Sequence, residues 1–230
     1  MIIKVCGMRD IENIRQVKNL DIDMMGFIFW PKSPRYVTAY GSQIGIMPDN
    51  SEERLQIKQG QKQVSHRSCQ RVGVFVEDMP QDIVTCVYNY SLDYVQLHGE
   101  ESPALIENLR RTLDPDIKKG IRIIKAFNIA TYDDFKKCRN YEEVADLFLF
   151  DTKTSVKGGS GEQFDWSLLE QYDGKVPFLL SGGIGPNDAE RIKAFHHPKF
   201  EGIDLNSRFE IACGVKNVEL LKTFIKQIRQ

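Results

Sequence analysis

Residues 2–9 of the chain read IIKVCGMR, a short apolar run that ends in Cys6 and is followed by Gly7. A short run of this kind is typical of a parallel strand that is covered on both faces. The turn after it lacks the Gly-x-Gly-x-x-Gly spacing of a dinucleotide-binding sheet, since Met8 and Arg9 follow Gly7. The stretch therefore favours a barrel over an open doubly wound sheet, the alternative architecture for such a chain.

Further apolar runs rich in Val, Ile and Phe recur along the chain. With residues 2–6, the predicted strands are residues 24–29, 71–76, 94–97, 121–126, 147–151, 176–181 and 202–205. Between most of them lie segments with helical spacing of apolar residues, and a last such segment contains Val218, Leu221, Ile225 and Ile228. Alternating strands and helices predict a parallel sheet, and eight units predict an α/β fold closed into a (β/α)8 TIM barrel.

The chain length suits a single domain. At 230 residues it matches one α/β barrel, and we expect residues 1–230 to form that domain. The connection after the second strand, around residues 40–69, is unusually long and is interrupted by glycine, proline and asparagine. We interpret it as a second helix at residues 51–59 with polar surface extensions on both sides.

The composition of the chain limits the kinds of binding partner that we expect. Lys and Arg number 31 against 32 Asp and Glu, so the charge gives no reason to expect nucleic acid or an anionic membrane. No apolar run approaches the length that spans a bilayer, and no signal peptide is recognised, so we expect a cytoplasmic protein that acts on a small molecule. The five cysteines are spread without a Cys-x-x-Cys pair, which predicts reduced thiols and no metal site. The oligomeric state, monomer or homodimer, stays open.

Two predicted loops have the residues of an anion site. In such barrels the working residues lie at the carboxyl ends of the strands, and the loops after strands seven and eight form the usual phosphate site. Gly182 and Gly183 follow the seventh strand, and Asn206 and Ser207 follow the eighth. Because glycines let backbone N–H groups approach an anion closely, we predict that these four residues bind a phosphate.

Cys6 and Asp151 end strands one and six and are the candidate base and acid. A lone cysteine is usually a small core residue, and an aspartate at a strand end can simply cap the next segment or pair with Lys153. A free thiol is mostly protonated and a free aspartate almost fully ionised at neutral pH, so both roles need a particular environment. Burial at a barrel mouth would supply one.

Arg35 and His98 are candidate substrate-binding residues. Arg35 follows Pro34 in the second loop, where it could be a solvated cation, bind a carboxylate in a two-pronged fashion or lie over an aromatic ring. His98 ends the fourth strand and could serve as acid or base. Without a matching carboxylate motif, we favour a hydrogen-bonded structural role over a catalytic one.

A series of short motifs runs in order along the chain. They are residues 4–9 (KVCGMR), 26–29 (GFIF), 32–36 (KSPRY), 72–75 (VGVF), 95–99 (VQLHG), 151–153 (DTK), 158–161 (GGSG), 164–166 (FDW), 180–184 (LSGGI) and 214–216 (GVK). Together they resemble the successive motifs of the phosphoribosylanthranilate isomerase family of tryptophan biosynthesis over essentially the whole chain.

The resemblance implies an Amadori rearrangement of N-(5-phosphoribosyl)anthranilate to the 1-deoxyribulose 5-phosphate derivative, without metal or organic cofactor. It implies that Asp151 protonates the ribose ring oxygen and that Cys6 takes the proton from ribose C2. Arg35 would hold the anthranilate end, and the two glycine and asparagine loops would hold the phosphate. The chain departs from the family at residues 206–210 (NSRFE), where many members have Ser-Ser-Gly-Val-Glu, at Asn217, where Asp is frequent, and in the longer segment 40–69.

Three other functions are weighed against this one. Indole-3-glycerol phosphate synthase relies on lysine and glutamate in a different strand order. The histidine-pathway isomerase has an aspartate where Cys6 stands. A catalytically idle barrel that binds a phosphorylated metabolite would tolerate loss of the acid or the base, and the chain has both.

Overall fold

Eight parallel strands form a closed barrel in the computed structural model, which describes residues 1–37, 69–114, 116–151 and 166–230. The strands are β1 (Ile2–Val5), β2 (Met24–Ile28), β3 (Gln70–Phe75), β4 (Tyr94–Leu97), β5 (Arg122–Asn128), β6 (Leu147–Asp151), β7 (Phe178–Ser181) and β8 (Phe200–Leu205). They pair in chain order, and β1 pairs with β8 to close the ring. The predicted (β/α)8 barrel is confirmed.

Helices pack on the outside of this barrel. They are α1 (Ile11–Lys18), α2 (Pro80–Tyr90), α3 (Pro103–Leu113), α4 (Asp134–Cys138), α5 (Ala189–Ala194) and α6 (Val218–Arg229). Short 3-10 turns cover Arg139–Tyr141, Trp166–Gln171 and Ser207–Phe209. A small antiparallel hairpin, β9 (Glu210–Ala212) and β10 (Val215–Lys216), follows β8 and was not predicted.

The helices that flank the closing pair of strands start at polar caps. The Asp10 side chain accepts the Asn13 N–H at the start of α1, and the Asn217 side chain accepts the Leu220 N–H at the start of α6. Each cap satisfies one of the backbone donors that a helix start leaves unpaired. Among the described residues no helix has both the length and the apolar character needed to cross a bilayer.

The predicted strand bounds are close to the observed ones. The fourth and sixth strands coincide with β4 and β6, whereas β7 begins at Phe178 rather than at residue 176, because Pro177 has no N–H to donate. β5 continues to Asn128, which pairs in register with Asp151. The helix predicted at 51–59 and the extension around 40–69 lie outside the described residues, apart from Cys69.

Apolar side chains fill the barrel in two layers. Inside the ring one buried cluster contains Met24, Val72, Tyr94, Ile124, Ala126, Leu147, Leu149 and Leu179. A second, larger cluster lies between the strands and the helices. Alternate residues of a strand face opposite sides of the sheet. Polar residues that follow the inner cluster at two-residue intervals therefore point into the barrel at its mouth.

A substitution at Gly202 tests the backbone contact between β1 and β8 that closes the barrel. A Cβ at this position would overlap the carbonyl oxygen of Ile2, which pairs with Gly202 in register. We expect Gly202→Ala to lower the free energy of unfolding by about 1–3 kcal/mol in urea denaturation. At Gly185 a Cβ would lie 3.6 Å from its nearest neighbour, so Gly185→Ala is the matched control. Equal stability of the two variants would contradict this account of the closure.

Candidate active site

Cys6 lies immediately after β1 at the barrel mouth. Its N–H donates to the Leu205 carbonyl at 2.9 Å, which continues the pairing of β1 with β8. The side chain is only 4% exposed and, by alternation, shares the inward face with Lys4. Gly26 on β2 makes room for the thiol, because a Cβ there would lie 2.7 Å from the Cys6 Sγ. The thiol is therefore buried inside the ring of strands.

Charged side chains surround this thiol. Lys4 is fully buried and donates from Nζ to the Asp204 Oδ1 at 2.9 Å. Burial raises the pKa of Cys6, the charges of Lys4 and Lys216 act to lower it, and Asp204 acts to raise it. The ammonium groups thus offset part of the cost of forming the thiolate, which is the form that accepts a proton.

Asp151 is the last residue of β6 and is 5% exposed. It follows Leu147 and Leu149 of the inner cluster at two-residue intervals, so its side chain faces the inside of the barrel. In register it pairs with Asn128 on one side and Ser181 on the other. A buried carboxyl group therefore lies at the mouth.

A row of polar side chains connects the strand of the thiol with the strand of the carboxyl group. From Lys4 on β1 the row passes to Asp204 on β8, whose Oδ2 accepts from the Ser181 Oγ of β7 at 3.4 Å. Ser181 is the register partner of Asp151 on β6. Cys6 and Asp151 thus face one shared space from different sides of the ring.

His98 follows β4 and lies next to Asp151. Its Nε2 is 3.9 Å from the Asp151 Oδ2, and its Nδ1 is 3.1 Å from the amide nitrogen of Gln96. Which of the two groups donates in the contact with Gln96 depends on the tautomer of the ring. Asp151 is the carboxylate partner of His98. It lies on β6, two strands away in the ring, so no motif close to His98 in the sequence indicated it.

Arg35 is held by an acidic side chain of the same chain. Its Nε and Nη2 donate to the two carboxylate oxygens of Glu210 at 2.8 and 2.6 Å. Its side chain is 20% exposed, so Arg35 is not a freely solvated cation. Gly7 permits this placement, because a Cβ there would lie 2.6 Å from the Arg35 Cδ and 2.7 Å from the Asn206 Oδ1. Gly7 also has a φ of 77°, a region that favours glycine.

Glu210 and Lys216 extend this contact to the loop after β8. The Lys216 Nζ donates to the Glu210 Oε1 and to the Asn206 Oδ1, both at 2.8 Å. Burial acts to raise the pKa of Glu210, but the hydrogen bonds and charges of Arg35 and Lys216 outweigh it and lower the value to about 2. Burial lowers the pKa of Lys216, and Glu210 acts against that change. One carboxylate thus orients two cations beside Asn206.

The two loops predicted to bind phosphate lie after the adjacent strands β7 and β8. Gly182 and Gly183 have φ values of 93° and 69°, and no atom lies within 4 Å of a Cβ built on Gly183. Asn206 is half-buried, and the exposed Ser207 begins a 3-10 turn. The backbone at Gly183 is therefore accessible to a ligand. Lys153 and the glycines of residues 158–161 lie outside the described residues.

Several residues of the site were not singled out from the sequence. Lys4 and Asp204 are charged residues inside otherwise apolar strands, a signal that could have shown a polar barrel interior. Glu210 and Lys216 lie in the hairpin that was not predicted. Within the described residues no group of three or more His, Cys, Asp or Glu side chains could hold a metal ion.

A (β/α)8 barrel with a buried thiol, a buried carboxyl group and an exposed glycine turn at one mouth belongs to the class of barrel enzymes that act on small anionic metabolites. Comparison with known proteins identifies one family within this class. A family model described as N-(5'phosphoribosyl)anthranilate (PRA) isomerase matches residues 3–227. The chain belongs to the N-(5'-phosphoribosyl)anthranilate isomerase family.

Individual relatives agree with this assignment. The N-(5'-phosphoribosyl)anthranilate isomerase of Parabacteroides distasonis is 47% identical over 228 residues, which cover 99% of this chain and 93% of the relative. That of Phocaeicola vulgatus is 40% identical and covers 100% of this chain and 98% of the relative. The crystal structure of the isomerase from Thermotoga maritima has a TM-score of 0.74 at 31% identity, with 100% and 99% of the two chains covered.

A further crystal structure shows a family member with a ligand. It is a phosphoribosyl anthranilate isomerase in complex with reduced 1-(o-carboxyphenylamino)-1-deoxyribulose 5-phosphate. It has a TM-score of 0.73 at 28% identity and covers 100% of this chain and 99% of its own. That ligand carries a phosphate and a carboxylate at opposite ends.

The pH dependence of stability tests the ion cluster at Glu210. Its pKa falls from the ordinary 4.5 to about 2 on folding, so its contribution to stability is complete above pH 4.5 and is lost as pH falls towards 2. We expect the free energy of unfolding, measured in urea between about pH 6 and pH 3, to fall less steeply in Glu210→Gln than in the parent. Glu107→Gln, at an exposed pair with Arg111, is the control and should leave the slope unchanged. Parallel curves for parent and Glu210→Gln would refute the assignment.

Proposed function

We propose that the chain catalyses the Amadori rearrangement of N-(5'-phosphoribosyl)anthranilate to 1-(2-carboxyphenylamino)-1-deoxyribulose 5-phosphate in tryptophan biosynthesis. The observation that carries the proposal is the burial of a thiol and a carboxyl group, Cys6 and Asp151, at the same barrel mouth. Full-length similarity to isomerases of this name, and to a structure that holds a reduced form of the product, supports it. No metal or organic cofactor enters the proposed reaction.

Asp151 acts first, as the general acid. Its proton goes to the ribose ring oxygen, the bond from that oxygen to C1 breaks, and the anthranilate nitrogen lone pair forms a Schiff base with C1. This step needs the carboxyl group in its protonated form. His98, at 3.9 Å, lies where it can bind the substrate beside the acid.

Cys6 acts second, as the general base. The thiolate takes the proton from ribose C2, and the electron pair forms the C1–C2 double bond of an enolamine while the iminium nitrogen becomes neutral. Protonation at C1 and loss of the C2 hydroxyl proton then give the ketose, so the overall change is an isomerisation. The charge of Lys4, which acts to lower the pKa of Cys6, stabilises the thiolate.

The two charged ends of the substrate are bound by separate groups. Gly182, Gly183, Asn206 and Ser207 bind the phosphate through backbone N–H groups and polar side chains. Arg35 binds the anthranilate carboxylate. Its bonds to Glu210 use two of the five N–H donors of a guanidinium and fix the plane of the group.

The remaining expectations are proposed on the same basis. Residues 1–230 act as one domain in the cytoplasm, with a small phosphorylated substrate as partner and neither nucleic acid nor membrane. The net charge of -1 supports a small-molecule partner. A catalytically idle barrel is the alternative, and turnover of the substrate separates the two.

Cys6→Ala and Asp151→Asn should each lower kcat by about 10²–10⁴-fold while the fold survives, because each removes one general acid–base group. The measurement is the loss of anthranilate fluorescence when the substrate is generated in situ. Cys86→Ala removes another buried thiol, on α2, and should leave the rate unchanged. A near-normal rate in either site variant would exclude the proposed role of that residue.

Arg35→Ala should raise KM at least as much as it lowers kcat, since it removes the group that binds one end of the substrate. Arg110→Ala is a suitable control because Arg110 also contacts a carboxylate, Asp146 at 2.7 Å, but lies at the opposite end of the barrel. Steady-state kinetics and melting temperatures of both variants decide the point. If Arg35→Ala lowers only the melting temperature, Arg35 has a structural role and no part in binding.

A further inference from the structure

A buried ion pair lies behind the barrel wall between β4 and β5. The Lys125 Nζ is 3.4 Å from the Glu101 Oε2, and the two side chains are 3% and 2% exposed. Lys125 lies between Ile124 and Ala126, which both belong to the inner cluster, so its own side chain points outward. The pair therefore does not face the space shared by the reacting groups.

The pair holds the backbone on both sides of His98. The Lys125 Nζ donates to the Leu97 carbonyl at 3.4 Å and to the Gly99 carbonyl at 2.7 Å. The Glu101 carboxylate accepts the Gly99 N–H, with oxygens at 3.1 and 3.0 Å. The peptides before and after His98 thus depend on two side chains that lie outside the mouth.

Glu101 also holds the neighbouring loop after β3. Its Oε1 accepts the N–H of Glu77, a residue with a φ of 54°, at 2.9 Å. A Cβ at Gly99 would lie 2.7 Å from the Glu77 Cγ and 2.9 Å from the Glu101 Oε1, so this packing requires a glycine there. The contact sets the loops after β3 and β4 against each other.

Aromatic side chains surround the ammonium group of Lys125. The rings of Phe127 and Tyr141 lie 5.2 and 5.6 Å from its Nζ, and the Tyr141 hydroxyl donates to the Glu101 carbonyl at 3.0 Å. Burial lowers the pKa of Lys125, and Glu101 acts against that change. Apolar residues of similar volume often serve stability as well as a buried ion pair does, so the cost of this pair points to a role in orientation.

The orientation concerned is that of the imidazole on the other side of the wall. With its backbone fixed, His98 is placed between the Gln96 amide at 3.1 Å and the Asp151 carboxylate at 3.9 Å. We propose that Glu101 and Lys125 are positioning residues that hold His98 against Asp151 during the reaction. This inference rests on the proposed function.

The first experiment separates positioning from stability. Glu101→Gln leaves Lys125 buried without a carboxylate and should lower both the melting temperature and kcat/KM, the latter by about 10–100-fold. The double variant Glu101→Gln/Lys125→Met removes both charges and should recover melting temperature but not rate. Recovery of the rate together with the melting temperature would overturn the proposal.

A double-mutant cycle then tests the route through His98. If Glu101 acts by placing the imidazole, Glu101→Gln should cost little further rate in a His98→Ala background. Additive losses would overturn the proposal. Asp93→Asn is the matched control, because Asp93 likewise accepts a strand N–H, from Arg71, and contacts a lysine, Lys118, but at the opposite end of β4. It should not couple to His98.

A spectroscopic readout keeps the test independent of turnover. The ring Cε1–H signal of His98, assigned by its loss in His98→Ala, should change its pH titration in Glu101→Gln and keep it in Asp93→Asn. An unchanged titration in Glu101→Gln would overturn the positioning role even in a fully active enzyme. Absence of turnover in the parent chain would instead refute the proposed function, and the titration would still decide whether the pair positions His98.

Discussion

The candidate active site depends on the pairing of β1 with β8, which closes the barrel. That register places Lys4 beside Asp204, and their buried ion pair at 2.9 Å lies directly below the mouth. Because side chains alternate along a strand, Cys6 and Asn206 take the next inward positions. A slip of one residue would turn the thiol outward and bring an apolar side chain to its place. The chemistry of the mouth is thus fixed by backbone pairing before any side chain interacts with substrate.

Much of this framework could be predicted from the sequence. Parallel strands covered on both faces are continuous apolar runs, so their positions, and the strand ends that carry Cys6 and Asp151, are local properties of the chain. The hairpin of β9 and β10 is different. Its strands are only three and two residues long, and it is held by contacts such as the Lys216 N–H with the Asn13 side chain, 203 positions away. No local pattern encodes such a contact.

The same distinction holds for the site. Glycine turns and strand-end residues are visible in the sequence, but the partner of Arg35 lies 175 positions away and became apparent only in the folded chain. The prediction for His98 lacked a carboxylate for the same reason, since Asp151 ends β6 whereas His98 follows β4. Ion pairs that form across the barrel join residues at no fixed spacing in the sequence. Only the strand register of the closed barrel brings these residues together.

The charged side chains of the described residues are also unevenly distributed around the barrel mouth. On the side of β8 and the hairpin, Arg35 and Lys216 share one carboxylate, Glu210, which leaves an excess positive charge beside Asn206 and the glycine turn. On the opposite side, within the part of the chain that the structure describes, His98 and Asp151 lie 3.9 Å apart. Under the proposed function, these charges would draw a substrate with a phosphate and a carboxylate at its ends towards the cationic side. In the proposed reaction its uncharged sugar would lie over the thiol and within reach of the carboxyl group, so the distribution of charge would orient the reacting atoms as well as add affinity.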